Sequence, residues 1–322
     1  MSPAAGMGAG AMPREVMVFS SAVDTFEDWQ EVLAREAPEV ELRRDGEVDD
    51  PAAVVAALVW KPPAGFFQRF PNLRLVVNLG AGVDALVGRS DLPDVPITRL
   101  SDPKMARMMA GFVLFAVTRH ARDIPAFERA QRRGEWHYLH PRDPETIRVG
   151  VLGLGELGLT AALECARQGY QVSGWSRTPK NVAGISTVAG LEALPGFLAG
   201  CDILVCLLPH TPETAGLLDA ARLAQLPRGA KFINVSRGAV VDEPALIAAL
   251  RSGQIAEATL DVFAVEPLPA DSPLWAMENV LITPHLASIA LPASAAQQIG
   301  ENLRRVRVGA EVLGRVDPRR GY

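Results

Sequence analysis

Three side chains in the second half of the sequence could act together on a polarised carbonyl. Arg237 stands in Asn234-Val-Ser-Arg-Gly-Ala-Val-Val-Asp-Glu243, Glu266 in Leu260-Asp-Val-Phe-Ala-Val-Glu-Pro267, and His285 in Ile282-Thr-Pro-His-Leu-Ala-Ser288. Each follows a short apolar run that reads as a strand, on its carboxyl side, where open α/β sheets bind ligands. Hydride transfer to a ketone builds negative charge on the oxygen. A protonated imidazole can supply the proton, and a neighbouring carboxylate can keep that imidazole charged. An arginine can grip the carboxylate of a 2-oxo acid through two parallel hydrogen bonds and orient its carbonyl. Taken singly, Arg237 also reads as a surface cation, Glu266 as a helix-start charge and His285 as a turn histidine.

Hydride chemistry needs a donor held beside these groups, and a glycine-rich turn offers the cradle. Gly153-Leu154-Gly155-Glu156-Leu157-Gly158 leaves the apolar run Arg148-Val-Gly-Val-Leu152 and opens the helical stretch through Arg167. The first glycine allows the tight turn, the second lets backbone approach a pyrophosphate, and the third lets the helix pack close to the sheet. Gly153, Gly155, Glu156, Leu157 and Gly158 are therefore expected around the phosphates, at a helix N-terminus that favours anions. The next strand, Tyr170 to Trp175, ends in Ser176-Arg177-Thr178-Pro179-Lys180. A site for NAD(H) usually carries Asp or Glu there, to bond the ribose 2′-hydroxyl. Here the hydroxyls of Ser176 and Thr178, the Arg177 guanidinium and the Lys180 ammonium suit a 2′-phosphate instead, so NADPH/NADP+ is expected over NAD(H).

Strand-like and helix-like segments alternate almost throughout, which predicts an α/β fold of parallel sheets covered by helices. Strands are expected near 15–19, 55–60, 73–79 and 97–100, then from Arg148 onward, and again near 203–208, 231–234, 258–261 and 280–282. Two helices, 105–120 and 122–133, precede the glycine-rich strand, so the dinucleotide domain sits mid-chain behind a complete βα domain. A last helix over 293–313 is expected to return to that first domain. At 322 residues there is room for both domains, and 48% hydrophobic content supports a sizeable core. The net charge of −5 argues against nucleic acid as a partner. No apolar run approaches the roughly 18 residues of a membrane span. Cys165, Cys201 and Cys206 lie in apolar segments without metal-ligand spacing, so no metal is expected and the cysteines read as reduced core residues of a cytoplasmic protein. Residues 1–12 read as a disordered Ala/Gly leader. His120, His137 and His140 read as surface residues and His210 as a loop residue near the cofactor.

On these motifs the chain resembles the D-isomer-specific 2-hydroxyacid dehydrogenase family. The matching stretches are Gly150–Gly158, Leu208-Pro-His-Thr-Pro-Glu-Thr214, Phe232–Leu246, Ala258–Pro267 and Ile282–Ser288. The resemblance implies two Rossmann-like doubly wound domains with the active site in the interdomain cleft. It implies residues 13–103 plus 287–322 as the substrate-binding domain and 104–286 as the NADP(H)-binding domain. It implies catalytic roles for Arg237, Glu266 and His285, and substrate contacts from Trp60, the Leu79-Gly80-Ala81-Gly82 backbone and Arg237. Leu208, Pro209, Val235, Ser236, Asp261 and His285 would line the cofactor, with Asp261 and the Val235 backbone on the nicotinamide carboxamide and Met109 covering the ring.

Within the family, Val59-Trp-Lys-Pro-Pro63, Asn78-Leu-Gly-Ala-Gly-Val-Asp84 and Trp175-Ser-Arg-Thr178 most resemble a subgroup that uses NADPH to reduce small 2-oxo acids such as glyoxylate and hydroxypyruvate. The partner implied is then a small 2-oxo or 2-hydroxy acid, and the family suggests a homodimer built on the long helix from Met105. Gly111 departs from the family, which often carries Glu there. A reductase of bulkier 2-oxo acids and a dinucleotide-sensing, corepressor-like scaffold of the same fold are the alternative readings.

Overall fold

Apolar runs with two buried faces become parallel strands, and the amphipathic stretches between them become helices. The computed structural model describes residues 15–317, so the leader assigned to 1–12 and the final five residues lie outside the described residues. The described chain forms two units, one running to Ser101 together with Leu291–Asp317, the other Asp102–Ala290.

The first unit carries β1 (Glu15–Ser20), α1 (Phe26–Glu36), β2 (Val40–Arg44), β3 (Val54–Val59), β4 (Leu75–Asn78) and β5 (Ile97–Arg99), in a parallel sheet of order β2-β1-β3-β4-β5. α1 buries Phe26, Trp29, Val32 and Leu33, a spacing that places them on one face. β2 was not expected. It is an edge strand whose Val-Glu-Leu-Arg-Arg sequence buries only alternate residues.

The second unit begins with α2 (Pro103–Ala121), capped by Asp102, whose carboxylate accepts from Lys104 N at 2.8 Å, and α3 (Ile124–Arg132). There follow β6 (Arg148–Leu152), α4 (Glu156–Arg167), β7 (Gln171–Ser176), β8 (Ser186–Ala189), α5 (Leu194–Ala199), β9 (Ile203–Cys206), α6 (Ala220–Leu223), β10 (Ala230–Asn234), α7 (Glu243–Ser252), β11 (Ile255–Leu260) and β12 (Val280–Ile282). Their parallel sheet has the order β12-β11-β10-β9-β6-β7-β8. The order reverses between β6 and β9, which makes a crevice at their carboxyl ends, the place where doubly wound sheets bind ligands. β8, also unexpected, is again a half-buried edge strand.

The chain then returns to the first unit as α8 (Pro292–Arg307), which packs on α1. A Cβ at Gly300 would lie 2.6 Å from the Glu36 carbonyl oxygen, so only glycine permits that approach. The helix stops at 307 rather than 313. Gly309 takes a left-handed φ of +69°, and the chain beyond it bonds to β5, Val316 N donating to Ile97 O at 2.8 Å. That pairing covers an edge a longer helix would leave open.

One expectation fails clearly. His120 is not a surface residue; it is 1% exposed on the inner face of α2, with Nε2 3.0 Å from Thr259 Oγ1. The three cysteines are free and buried, and burial pushes the Cys165 and Cys201 thiols up to about 12.

Candidate active site

The glycine-rich turn has the geometry each glycine was expected to provide. Gly153 has φ +109°, and a Cβ there would sit 2.7 Å from Leu207 O. A Cβ at Gly158 would be 1.9 Å from Gly153 O, so the start of α4 lies against the turn. Gly155 faces open space, with no atom within 4 Å of a Cβ built there. Room beside Gly155, at the N-terminus of a twelve-residue helix, fits a pyrophosphate. Glu156 and Leu157 form the first turn of that helix.

At the tip of β7, Arg177 and Thr178 are exposed while Ser176 is buried and its hydroxyl donates to Thr178 O at 2.8 Å. Lys180, whose ammonium is expected beside the same phosphate, donates through Nζ to Leu154 O at 2.5 Å. It thereby ties the glycine-rich turn to the loop after β7. No carboxylate stands between Trp175 and Lys180, so the charge of this tip fits a phosphate rather than a bare ribose. Leu208 is buried and Pro209 exposed just after β9, and Pro209 O accepts from Thr214 Oγ1 at 2.6 Å.

Three neighbouring strands deliver the candidate catalytic groups from their carboxyl ends. After β10, Asn234 Oδ1 accepts from the Ser236 N–H at 3.1 Å and its hydroxyl at 2.7 Å, fixing the Val235–Ser236 backbone. Arg237 follows, half-buried and extended, with Nη1 donating to Ser236 O at 2.7 Å. Beyond β11, Glu266 Oε1 accepts from Phe263 N at 3.2 Å, which aims Oε2 at His285. His285 Nδ1 lies 2.9 Å from that oxygen, with side-chain exposures of 26% for His285 and 20% for Glu266. A carboxylate only accepts, so Nδ1 carries the hydrogen and Nε2 is the nitrogen left for proton transfer.

Asp261 holds the histidine loop. It is 1% exposed, and its carboxylate accepts from Thr283 Oγ1 at 2.6 Å, Leu286 N at 2.9 Å and Ala287 N at 2.9 Å. Its carbonyl accepts from His285 N at 2.8 Å. These bonds hold His285 at φ +54°, a left-handed conformation rare outside glycine. Met109 is buried in α2, in the apolar layer against the sheet. Gly111 is exposed with nothing within 4 Å of a Cβ, so packing does not impose the departure at that position. Among the described residues no group of three or more His, Cys, Asp or Glu is placed to hold a metal.

The first unit's candidates also lie at strand ends. Trp60 follows β3 and is half-buried; a Cβ at Gly80 would be 2.6 Å from its Cζ3, so the indole edge covers Gly80. Leu79 is buried, its N–H donating to Val59 O at 2.8 Å. Asn78, overlooked in the sequence, is fully buried and donates through Nδ2 to Gly80 O at 3.0 Å and Gly82 O at 2.9 Å. With those carbonyls drawn to Asn78, the Gly80, Ala81 and Gly82 N–H groups donate to no protein group among the described residues. N–H groups left in this way are open to an anionic acceptor.

Comparison with known proteins gives a consistent set of relatives. Residues 114–287 match the family model described as D-isomer specific 2-hydroxyacid dehydrogenase, NAD binding domain. The glyoxylate/hydroxypyruvate reductase A of Yersinia enterocolitica is 42% identical over 272 residues, covering 83% of this chain and 87% of that protein. Among solved structures, the D-isomer specific 2-hydroxyacid dehydrogenase of Xanthobacter autotrophicus Py2, in complex with NADPH and MES, is 68% identical with TM-score 0.92, covering 96% of this chain and 100% of that one. The NADPH-dependent glyoxylate/hydroxypyruvate reductase of Sinorhizobium meliloti, in complex with NADP and sulfate, is 33% identical with TM-score 0.90, covering 95% and 99%.

Proposed function

The chain belongs to the D-isomer specific 2-hydroxyacid dehydrogenase family, and from that premise we propose that it reduces glyoxylate or hydroxypyruvate to the D-2-hydroxy acid with NADPH. The observation that carries the proposal is the Glu266–His285 pair at 2.9 Å, on the same sheet edge as a glycine-rich turn fitted to a pyrophosphate. NADPH, when bound, supplies the hydride. Gly153, Gly155 and Gly158 with the first turn of α4 hold its pyrophosphate, and Ser176, Arg177 and Thr178 its 2′-phosphate. Leu208, Pro209, Met109, Val235, Ser236 and Asp261 are assigned to the rest of the cofactor surface.

Arg237 pairs with the substrate carboxylate and orients the carbonyl. His285 gives the Nε2 proton to the carbonyl oxygen, while Glu266 accepts from Nδ1 and fixes the ring. The Leu79–Gly82 backbone and Trp60 are assigned to substrate binding. A homodimer through α2, α3 and the segment after them fits the exposure of Phe115, Trp136 and Tyr138 there, at 53%, 98% and 74%. A cytoplasmic setting is in keeping with three buried free thiols. No described helix is long and apolar enough to cross a membrane.

Initial rates over a panel of 2-oxo acids, with NADPH and NADH side by side, test the proposal. The expected kcat/KM is highest for glyoxylate or hydroxypyruvate with NADPH. Preference for phenylpyruvate or a branched-chain 2-oxo acid would move the assignment to the bulkier class. Absence of turnover with every acid would favour a dinucleotide-sensing scaffold.

A further inference from the structure

A half-buried ion pair that the proposed chemistry does not use grips the turn carrying Trp60. Arg89 donates through Nη1 to Pro62 O at 2.8 Å and through Nη2 to Pro63 O at 2.7 Å. The same guanidinium meets Asp91 bidentately, Nε to Oδ1 at 2.8 Å and Nη2 to Oδ2 at 2.7 Å. The two side chains are 17% and 8% exposed. Its Cζ also lies 5.4 Å from the Phe67 ring centroid. The Trp60 N–H is tied to Ser20 O at 2.9 Å, but the two prolines after Lys61 have no N–H to donate, so their carbonyls are the groups by which that end of the turn can be tied. Arg89 takes both.

The turn needs such a tie. Lys61 sits at φ +47°, a left-handed conformation that non-glycine residues keep only where their surroundings impose it. Lys61 directly follows Trp60, whose indole covers Gly80 beside the N–H groups of the Gly80–Gly82 turn. If the turn relaxed, the indole would lose its seat and the space above those amides would widen.

We propose that Arg89, braced by Asp91, is a positioning residue for substrate size: it holds the Trp60–Pro63 turn so that Trp60 restricts the 2-oxo acid to a small side group. The inference rests on the reading of the protein as a 2-oxo acid reductase. Arg89 touches neither reacting group, so its effect should appear in selectivity and not in cofactor affinity. A lysine keeps the charge but lacks the planar fork that meets two carbonyls and a carboxylate together.

The test uses the full chain with Arg89→Met, Arg89→Lys and Asp91→Asn. Hydrogen exchange of the peptide spanning residues 58–67 is measured without ligand. NADPH affinity follows from fluorescence titration, and kcat and KM are measured for glyoxylate and phenylpyruvate. In both Arg89 variants, exchange should quicken about tenfold. The glyoxylate-to-phenylpyruvate ratio of kcat/KM should fall about tenfold, the scale of a pocket-wall change, with the NADPH Kd unchanged. Asp91→Asn should move exchange and ratio in the same direction, and it decides the matter if the Arg89 variants do not fold. Folded variants with parental exchange and a parental ratio overturn the proposal, as does a loss of NADPH affinity that accompanies an unchanged ratio. A parent that turns over no 2-oxo acid overturns the proposed function and the size-selecting role together. An active parent with unaffected variants overturns the role of Arg89 alone.

Discussion

Asp261→Asn should disable His285 from a distance. The parent carboxylate accepts three bonds from the histidine loop, from Thr283 Oγ1, Leu286 N and Ala287 N. Asparagine has one carbonyl oxygen. If it serves Thr283 and Leu286, its NH2 group faces the Ala287 N–H, donor against donor. Two charge-assisted bonds become neutral ones, a loss of about 1 kcal/mol each, and a third is replaced by unsatisfied buried donors at about 1–3 kcal/mol. Removing a buried charge offsets part of this. A net cost of about 2 kcal/mol against the active loop remains, which corresponds to about 30-fold in rate. The assay is steady-state reduction of glyoxylate together with NADPH titration. The expected result is a kcat about 30-fold down with the NADPH Kd within about threefold of the parent, because the bonds lost hold the histidine loop and not the phosphates. A parental kcat with an NADPH Kd weakened tenfold or more would refute the reasoning. It would make contact with the cofactor, and not the hold on the histidine loop, the main role of the Asp261 side chain.

Arg177→Asp should shift the NADPH-to-NADH ratio of kcat/KM by about 30-fold, since one charge-assisted phosphate contact is worth about 2 kcal/mol; an unchanged ratio would mean that Arg177 does not meet the 2′-phosphate. Arg237→Gln should raise the KM for 2-oxo acids and leave NADPH binding intact, and the converse pattern would move Arg237 to the phosphate site. The His120 pKa is pushed down to about 3, chiefly by burial, with Arg119 and Lys231 adding repulsion. Between its ordinary value of 6.5 and about 3, the unfolded chain binds one proton more than the folded one, so stability falls by about 1.4 kcal/mol per unit as pH drops through that window. Urea titrations should show His120→Gln losing less stability than the parent between about pH 6 and pH 4.5, and parallel losses would refute this.

The glycine-rich turn was legible because each glycine answers to a separate steric demand, visible as a contact a Cβ would make at Gly153 and Gly158 and as open space at Gly155. Interior strands such as β3 and β9 were legible because both faces are covered, which turns them into apolar runs. Edge strands β2 and β8 have one neighbour each and little apolar signal, so no periodicity marks them in the sequence. The surface reading of His120 fails. Its spacing carried the better signal, since Val113, Ala116, Val117 and His120 repeat at three and four residues, and all four are buried. Asn78 and Arg89 escaped notice for another reason. Each acts on backbone carbonyls of a turn, and no spacing in a sequence announces which carbonyl an amide or a guanidinium will meet.

The second sheet explains why residues so far apart in sequence can serve one reaction. β12, β11, β10, β9, β6 and β7 are neighbours in that order and all run parallel. Their carboxyl ends therefore share one edge, at spacings of about 4.8 Å. Across it stand His285, Asp261 with Glu266, Arg237, Leu208 with Pro209, the glycine-rich turn, and Arg177. One antiparallel strand would send its loop to the opposite edge and remove its residue from the set. Adjacency of β11 and β12 adds a second constraint. Asp261, at the end of β11, can reach the loop after β12 because the two strands pair in register, Leu260 beside Ile282. The same carboxyl end also leads to Glu266. One strand exit thus supplies both the group that sets the position of His285 and the group that fixes its ring, which is why Asp261→Asn and Glu266→Gln should each impair His285 by a separate route.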